Sequence, residues 1–252
     1  MMEKNMALLL QYDGSRYDGW QRQGNTGNTI QGKLESVLEK MTGRYQEIHG
    51  SGRTDAGVHA TGQVANVHLD TEMGDGEVRD YLNRYLPEDI LVLEAKQVPK
   101  RFHSRLLARG KTYTYWVETG QRCPVFQRKY IDVLGQSLDV AAMEEAASSL
   151  VGTHDFTSFC TAQGKKKSAV RTLQEIRIVR HSSQLEFVLS GDGFLYNMVR
   201  ILVGTLVEVG QGKRAAGSVA SAMEARNRQE AGYTAPAKGL FLTRVAYDTE
   251  IF

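Results

Sequence analysis

Gly50-Ser51-Gly52-Arg53-Thr54-Asp55-Ala56-Gly57-Val58-His59-Ala60 lies between two runs with strand character, Arg44 to His49 and Gln63 to Leu69. In the second run Ala65, Val67 and Leu69 alternate, as on a half-buried strand. The stretch between them is a β-to-β connection. A direct strand-to-strand join here breaks a simple β-α-β alternation and sets the order of the first half of the chain. The stretch is also chemically dense, with three glycines, one cation, one carboxylate and one imidazole. Glycine admits positive φ and the close approach of another molecule. A carboxylate at such a bend is either presented outward or bonded to its own turn, and Asp55 is a candidate for each.

Outward from this connection, Ala7 to Gln11 is a short apolar strand. Ile30, Leu34, Val37, Leu38 and Met41 form one stripe at helical spacing, with Asn28 as the expected cap and Gly43 as the stop. A second helix is expected from Glu77 to Leu86, ended by Pro87, and a fourth strand from Ile90 to Ala95. The order β-α-β-β-α-β is the split βαβ, or ferredoxin-like, pattern. The second half repeats it. Its strand Thr112 to Val117 is followed by a helix Asp139 to Leu150, strands Leu173 to Arg180 and Leu185 to Leu189, a long helix Phe194 to Val209, a supplementary helix Ser218 to Arg226 and a last strand Leu240 to Ala246. The expected fold is α+β: two fused ferredoxin-like, RRM-like halves, 1–105 and 106–252. Their sheets are expected to join into a larger, mainly antiparallel one with helices packed on it and an active cleft between the halves.

The 252 residues, 41% hydrophobic and 24% charged, suit a soluble chain with a proper core. Cys123 and Cys160 cannot build a disulfide framework, and no apolar run approaches a membrane span, so a cytoplasmic, membrane-free protein is expected. Net charge is only +2, but two blocks are basic and free of acids. One holds Lys100, Arg101, Arg105, Arg109 and Lys111; the other holds Lys165, Lys166, Lys167 and Arg171. Such stripes serve as phosphate contacts or as solvated loops.

The helix Phe194 to Val209 is apolar almost all the way round and is expected to be buried, with Arg200 in its middle. A buried guanidinium needs a carboxylate. No acid lies three or four residues away; Asp192 and Glu208 are both eight away. Asp55 is a candidate partner, and a different acid or an escape of the side chain to solvent are the alternatives. Gly204, one turn on, permits close approach by another backbone.

Other chemistries fail on spacing. Gly27-Asn28-Thr29-Ile30-Gln31-Gly32-Lys33-Leu34 ends in leucine where a P-loop needs Ser or Thr for Mg²⁺. The six histidines show no zinc spacing, and the deaminase and G-x-S-x-G signatures do not occur. His154-Asp155-Phe156-Thr157-Ser158-Phe159 reads as a packed or stacking loop rather than a hydrolase triad.

Several blocks together resemble the tRNA pseudouridine synthase A family. They are Tyr12-Asp13-Gly14 with Tyr17 and Gly19-Trp20-Gln21; Gly52 to Ala60; Leu82-Asn83 with Leu86-Pro87; Phe102-His103-Ser104-Arg105; Lys111 to Tyr115; Gly193 to Arg200; and Gly239-Leu240-Phe241. The resemblance implies an isomerase that converts uridine to pseudouridine at positions 38, 39 and 40 of the tRNA anticodon stem-loop after flipping the base. It implies Asp55 as nucleophile, Tyr113 packing against the target uracil, Arg200 as the ion-pair partner of Asp55, and Arg53 filling space in the RNA, with Phe194 as a further substrate-binding residue. It also implies a homodimer that uses no cofactor and no metal. The different-class alternative is an RRM-like module that binds RNA without chemistry. Strand Arg44 to His49 lacks the aromatic signature such readers carry.

Overall fold

Extended residues Glu3–Tyr12 form strand β1, whose Met6, Leu8 and Leu10 are fully buried. The computed structural model describes residues 3–24, 26–161 and 168–252. After β1 and a short 3₁₀ turn, helix α1 (Ile30–Thr42) turns its buried Ile30, Leu34, Val37 and Leu38 inward. Its cap is Thr29, whose hydroxyl accepts from the Gly32 amide at 3.1 Å. The expected cap, Asn28, instead donates its side-chain amide to the Arg16 carbonyl. Gly43 ends the helix at φ 74°, with its N–H on the Glu39 carbonyl.

Strand β2 is short, Ile48–Gly50, and β3 is long, His59–Asp70. The connection therefore gives its last two residues to β3, and of the expected second strand only Ile48 and His49 lie in β2. Ahead of β2, Arg44 forms an ion pair with Asp70, the last residue of β3, at 3.0 Å. Helix α2 (Asp75–Tyr85) and strand β4 (Ile90–Val98) follow. The Asn83 side chain fastens these two by bonding both polar groups of the Val92 backbone at 2.8 and 2.9 Å. β1 pairs antiparallel with β3 and β4, and β2 with β3, giving the order β4-β1-β3-β2. This is the ferredoxin-like arrangement expected from the element order.

The next strand is β5 (Gly110–Glu118), with Tyr113, Tyr115 and Val117 buried on one face as the alternation requires. A two-residue strand β6 (Asp132–Val133) runs parallel to it. Helix α3 (Val140–Ser148) is capped by the Asp139 carboxylate, which accepts the Ala142 amide at 3.0 Å. Strands β7 (Gly152–Asp155), β8 (Val170–His181) and β9 (Gln184–Gly191) continue the antiparallel order β5-β9-β8-β7. β6 and β7 are too short to leave a period in the sequence. Phe156 and Phe159 are fully buried, so the loop they open is packed.

Helix α4 spans Met198–Gly210, four residues later than the apolar pattern implies. Asn197 stands in the left-handed region, φ 60°, which interrupts right-handed turns and which Asn tolerates better than most residues. Helix α5 (Ser218–Ala225) and strand β10 (Leu240–Ala246) complete the chain.

The chain divides into two compact units. One comprises the residues up to Arg109 together with Phe241–Phe252; the other is Gly110–Leu240. The expected halves, 1–105 and 106–252, put the closing segment in the second. It belongs to the first because Phe241 and Leu242 pair in parallel with His59 and Ala60 of β3. Close contact is possible there because position 62 is glycine: a Cβ on Gly62 would stand 2.8 Å from the Thr243 carbonyl carbon.

Candidate active site

The segment from Ser51 to Val58 is held residue by residue in the first unit. Ser51 N–H donates to the Val64 carbonyl at 2.7 Å, its hydroxyl to Gln63 Oε1 at 2.6 Å, and the Gln63 amide in turn to the Gly52 carbonyl at 3.0 Å. Thr54 is buried and grasped twice: its hydroxyl shares a hydrogen bond with the Tyr12 hydroxyl (2.9 Å), and its carbonyl accepts the Trp20 amide (3.0 Å). Val58 N–H closes a turn onto the Asp55 carbonyl at 3.1 Å, and Gly57 supplies the positive φ, 77°, that the third position of such a turn favours. Gly57 N–H reaches the Tyr17 carbonyl at 3.3 Å.

Tyr12 to Gln21 is thus a clasp around the loop. Gly14 N–H donates to Nδ1 of the buried His59 at 3.1 Å. Gly19 has φ 94°, and a Cβ there would lie 2.6 Å from the Thr54 carbonyl oxygen. The Trp20 ring lies so close over Gly50 that a Cβ would meet it at 2.6 Å at Cζ2. Burial raises the hydroxyl pKa of Tyr12 above its usual value and keeps it neutral. Within this frame Asp55 is half-buried, whereas Arg53 is exposed, its Nε donating to Gln21 Oε1 at 3.0 Å. The backbone on both sides of Asp55 is fixed, which is what presenting one carboxylate in one direction requires.

In the second unit Tyr113 is buried on β5 and meets Phe194 edge to face, with ring centroids 5.1 Å apart at 82°. Arg200 is not in the middle of a buried helix. It is the third residue of α4 and is half-buried. Its Nε donates to the Ala235 carbonyl at 2.6 Å and its Nη1 to Asn197 Oδ1 at 3.0 Å, while the Ala235 amide returns a bond to the Arg200 carbonyl at 3.1 Å. A positive side chain in the first turn opposes the helix dipole, and these acceptors offset that. The backbone expected to approach Gly204 is Tyr233 to Ala235: a Cβ on Gly204 would stand 3.0 Å from the Tyr233 carbonyl carbon. The same segment is tied to β5 through Tyr115, whose hydroxyl donates to the Pro236 carbonyl at 2.9 Å, with Asp132 at 3.4 Å. Burial pushes the Asp132 carboxyl up from its ordinary value, and burial with Asp132 and Glu208 nearby pushes Tyr233 up to about 12.

The first basic block is less bare than its sequence. Lys100 pairs with Glu3 at 3.5 Å, and Arg109 with Asp248 at 2.8 Å, both acids coming from distant parts of the chain. Of the second block, Lys165, Lys166 and Lys167 lie outside the described residues. Among the described residues no group of three His, Cys, Asp or Glu is arranged to hold a metal ion. None of their helices is long and apolar enough to cross a membrane. The roles of Tyr12, Tyr17 and Trp20 were not visible as roles in the sequence; their only signal was membership of a Gly- and aromatic-rich block.

A family model described as tRNA pseudouridine synthase matches residues 8–105 and 146–248. The chain belongs to this family. A protein of Bacillus sp. (strain KSM-64) named tRNA pseudouridine synthase A is 50% identical over 243 residues, covering 96% of this chain and 99% of that protein. A Clostridium kluyveri protein of the same name is 43% identical over 244 residues, covering 97% and 100%. A solved structure titled as a Cbf5-Nop10-Gar1 complex shares 12% identity, with a TM-score of 0.41, over 96% of this chain and 50% of that one, too slight a likeness to carry weight. Membership in a synthase family does not favour the RNA-binding module without chemistry. The match takes in Arg53, Asp55, Phe194 and Arg200, and Tyr113 falls in its gap.

Proposed function

We propose that this chain is a tRNA pseudouridine synthase that isomerises uridine at positions 38, 39 and 40 of the anticodon stem-loop. The observation that carries the reading is the clasped loop: in a chain of this family, Tyr12, Tyr17, Gly19 and Trp20 fix the backbone around one half-buried carboxylate.

The reaction breaks the N1–C1′ bond, turns the uracil, joins C5 to C1′ and releases the C5 proton to water, N1 taking up a proton. The target base must first leave its stack, at a cost of a few kcal/mol, which cationic contacts to phosphate offset. Asp55 is the reacting carboxylate, attacking C1′, assisting loss of the C2′ proton or adding to C6. Arg200 is its ion-pair partner and holds it charged and oriented. Tyr113 packs its face on the uracil, and its hydroxyl is available for proton transfer; Phe194, edge-on to Tyr113, shapes the same wall. Arg53, exposed beside Asp55, fills the space left in the RNA. We assign these steps to side chains alone, with no cofactor or metal, in a cytoplasmic homodimer.

The test uses tRNA transcripts carrying tritium at uridine C5, because forming the new bond must expel it. Wild-type protein is expected to release tritium stoichiometrically with target uridines; no release from any tRNA overturns the reading. Asp55→Asn is expected to abolish release while tRNA binding persists, and normal turnover by that variant would remove Asp55 from its role.

A further inference from the structure

The connection between β5 and β6 carries Arg122-Cys123-Pro124-Val125-Phe126-Gln127-Arg128-Lys129. Phe126 is 94% exposed and Val125 63%, and Phe126 is the only phenylalanine among the described residues that is exposed at all strongly. The loop is built rather than slack. Gln127 N–H closes a turn onto the Pro124 carbonyl at 3.0 Å, Tyr130 N–H a second onto Gln127 at 2.8 Å, and the Gln184 side chain ties Gln127 to β9. Val125 and Phe126 occupy the two central positions of the first turn, so hydrogen bonds on either side hold two apolar side chains out in water. Between Gly120 and Tyr130 there are three cations and no acid. Lys100 and Arg109 each have a carboxylate partner, but Arg122, Arg128 and Lys129 are exposed and, among the described residues, have none.

We infer that this loop is a contact surface for RNA, Phe126 stacking on or packing against an unpaired base and Arg122, Arg128 and Lys129 meeting phosphates. The inference rests on the reading of tRNA as substrate and adds a contact away from the reacting carboxylate. Aromatic faces interleaved with cations are the composition by which proteins hold unpaired nucleotides, because every base offers a π-face and every nucleotide a charge. A second copy of this chain fits the loop poorly. A contact whose two-fold axis passed through the loop would bring its three cations close to the same three of the other copy. The loop lies between the two stretches that the family model matches, 8–105 and 146–248.

Phe126→Ala and the double variant Arg128→Gln/Lys129→Gln separate the two contributions, and neither residue set supports the fold. Binding of full-length tRNA transcript is measured by fluorescence anisotropy from 50 to 200 mM KCl, beside tritium release and sedimentation. Phe126→Ala is expected to weaken binding about tenfold with an unchanged salt slope. The double variant is expected to flatten the slope by about one to two. Both should raise KM and leave kcat near wild type, with unchanged melting temperature. If both variants bind as wild type does while wild type releases tritium, the inference is overturned and the functional reading stands. If Phe126→Ala changes the sedimentation of the free protein, the loop is an interface between copies and the inference is likewise overturned. If wild type neither binds nor turns over tRNA, it is the functional reading that fails.

Discussion

Replacing Gly204 by alanine sets two effects of opposite sign against each other. Alanine in a helix interior is favoured over glycine by about 1 kcal/mol. Against this, the new Cβ would stand 3.0 Å from the Tyr233 carbonyl carbon, closer still to its oxygen, and 3.4 Å from the Ala235 nitrogen. These are backbone atoms and cannot swing aside as a side chain end can. Overpacking of this kind costs about 1–3 kcal/mol. Relief requires the segment Gly232 to Ala235 to move off α4, stretching the bonds from Gly232 N to Thr205 Oγ1 (2.9 Å), from Tyr233 N to Glu208 Oε1 (3.2 Å) and from Ala235 N to the Arg200 carbonyl (3.1 Å). Each is worth about 1 kcal/mol. The net is a destabilisation of about 2–4 kcal/mol, or a fall in Tm of about 4–16 °C for a chain of this length. Thermal unfolding followed by circular dichroism reads it directly. Gly217→Ala is the control, since nothing lies within 4 Å of its Cβ position, and its Tm should stay near wild type. A Gly204→Ala protein melting at or above the wild-type temperature would refute the close-approach reasoning, because propensity alone would then have decided the outcome.

Two further expectations follow from the first unit. Tyr12→Phe removes the partner of a buried Thr54 hydroxyl, costing about 1–3 kcal/mol, and loosens the backbone next to Asp55. Tritium release should show kcat falling more than KM changes, and an unaltered kcat would mean the clasp does not serve the carboxylate. His103 stacks on His49 with centroids 5.0 Å apart, and partial burial, then His49 and Arg105, hold its pKa below 6.5. The unfolded chain therefore takes up this proton first, so stability is retained above pH 6.5 and is lost as pH falls from 6.5 toward the folded value. Urea midpoints from pH 7.5 to 5 should drop more for wild type than for His103→Gln, and parallel curves would contradict the assignment.

The sequence by itself determined whatever rests on local repetition or on a residue's own conformational range. The apolar stripes of α1 and α3, the alternation of β5 and the direct join of β2 to β3 follow from side chains that recur at a fixed spacing, and Gly43 stops its helix through the positive φ that glycine admits. Asp55 stood out for the same reason, as a carboxylate set among glycines. The tertiary structure alone decided which distant groups meet. Carboxylates of Glu3 and Asp248 quiet a basic stripe that looks bare in sequence, and the last strand pairs with β3 rather than staying in the half that element order assigns it. Hydrogen bonds from Tyr12, Tyr17 and Trp20 fix the loop around Asp55. One left-handed residue, Asn197, moves Arg200 from the middle of a buried helix to its first turn. None of these leaves a period in the chain, because a contact between residues far apart in sequence is fixed by the path of the backbone, and a single dihedral angle is invisible to a pattern of apolar side chains.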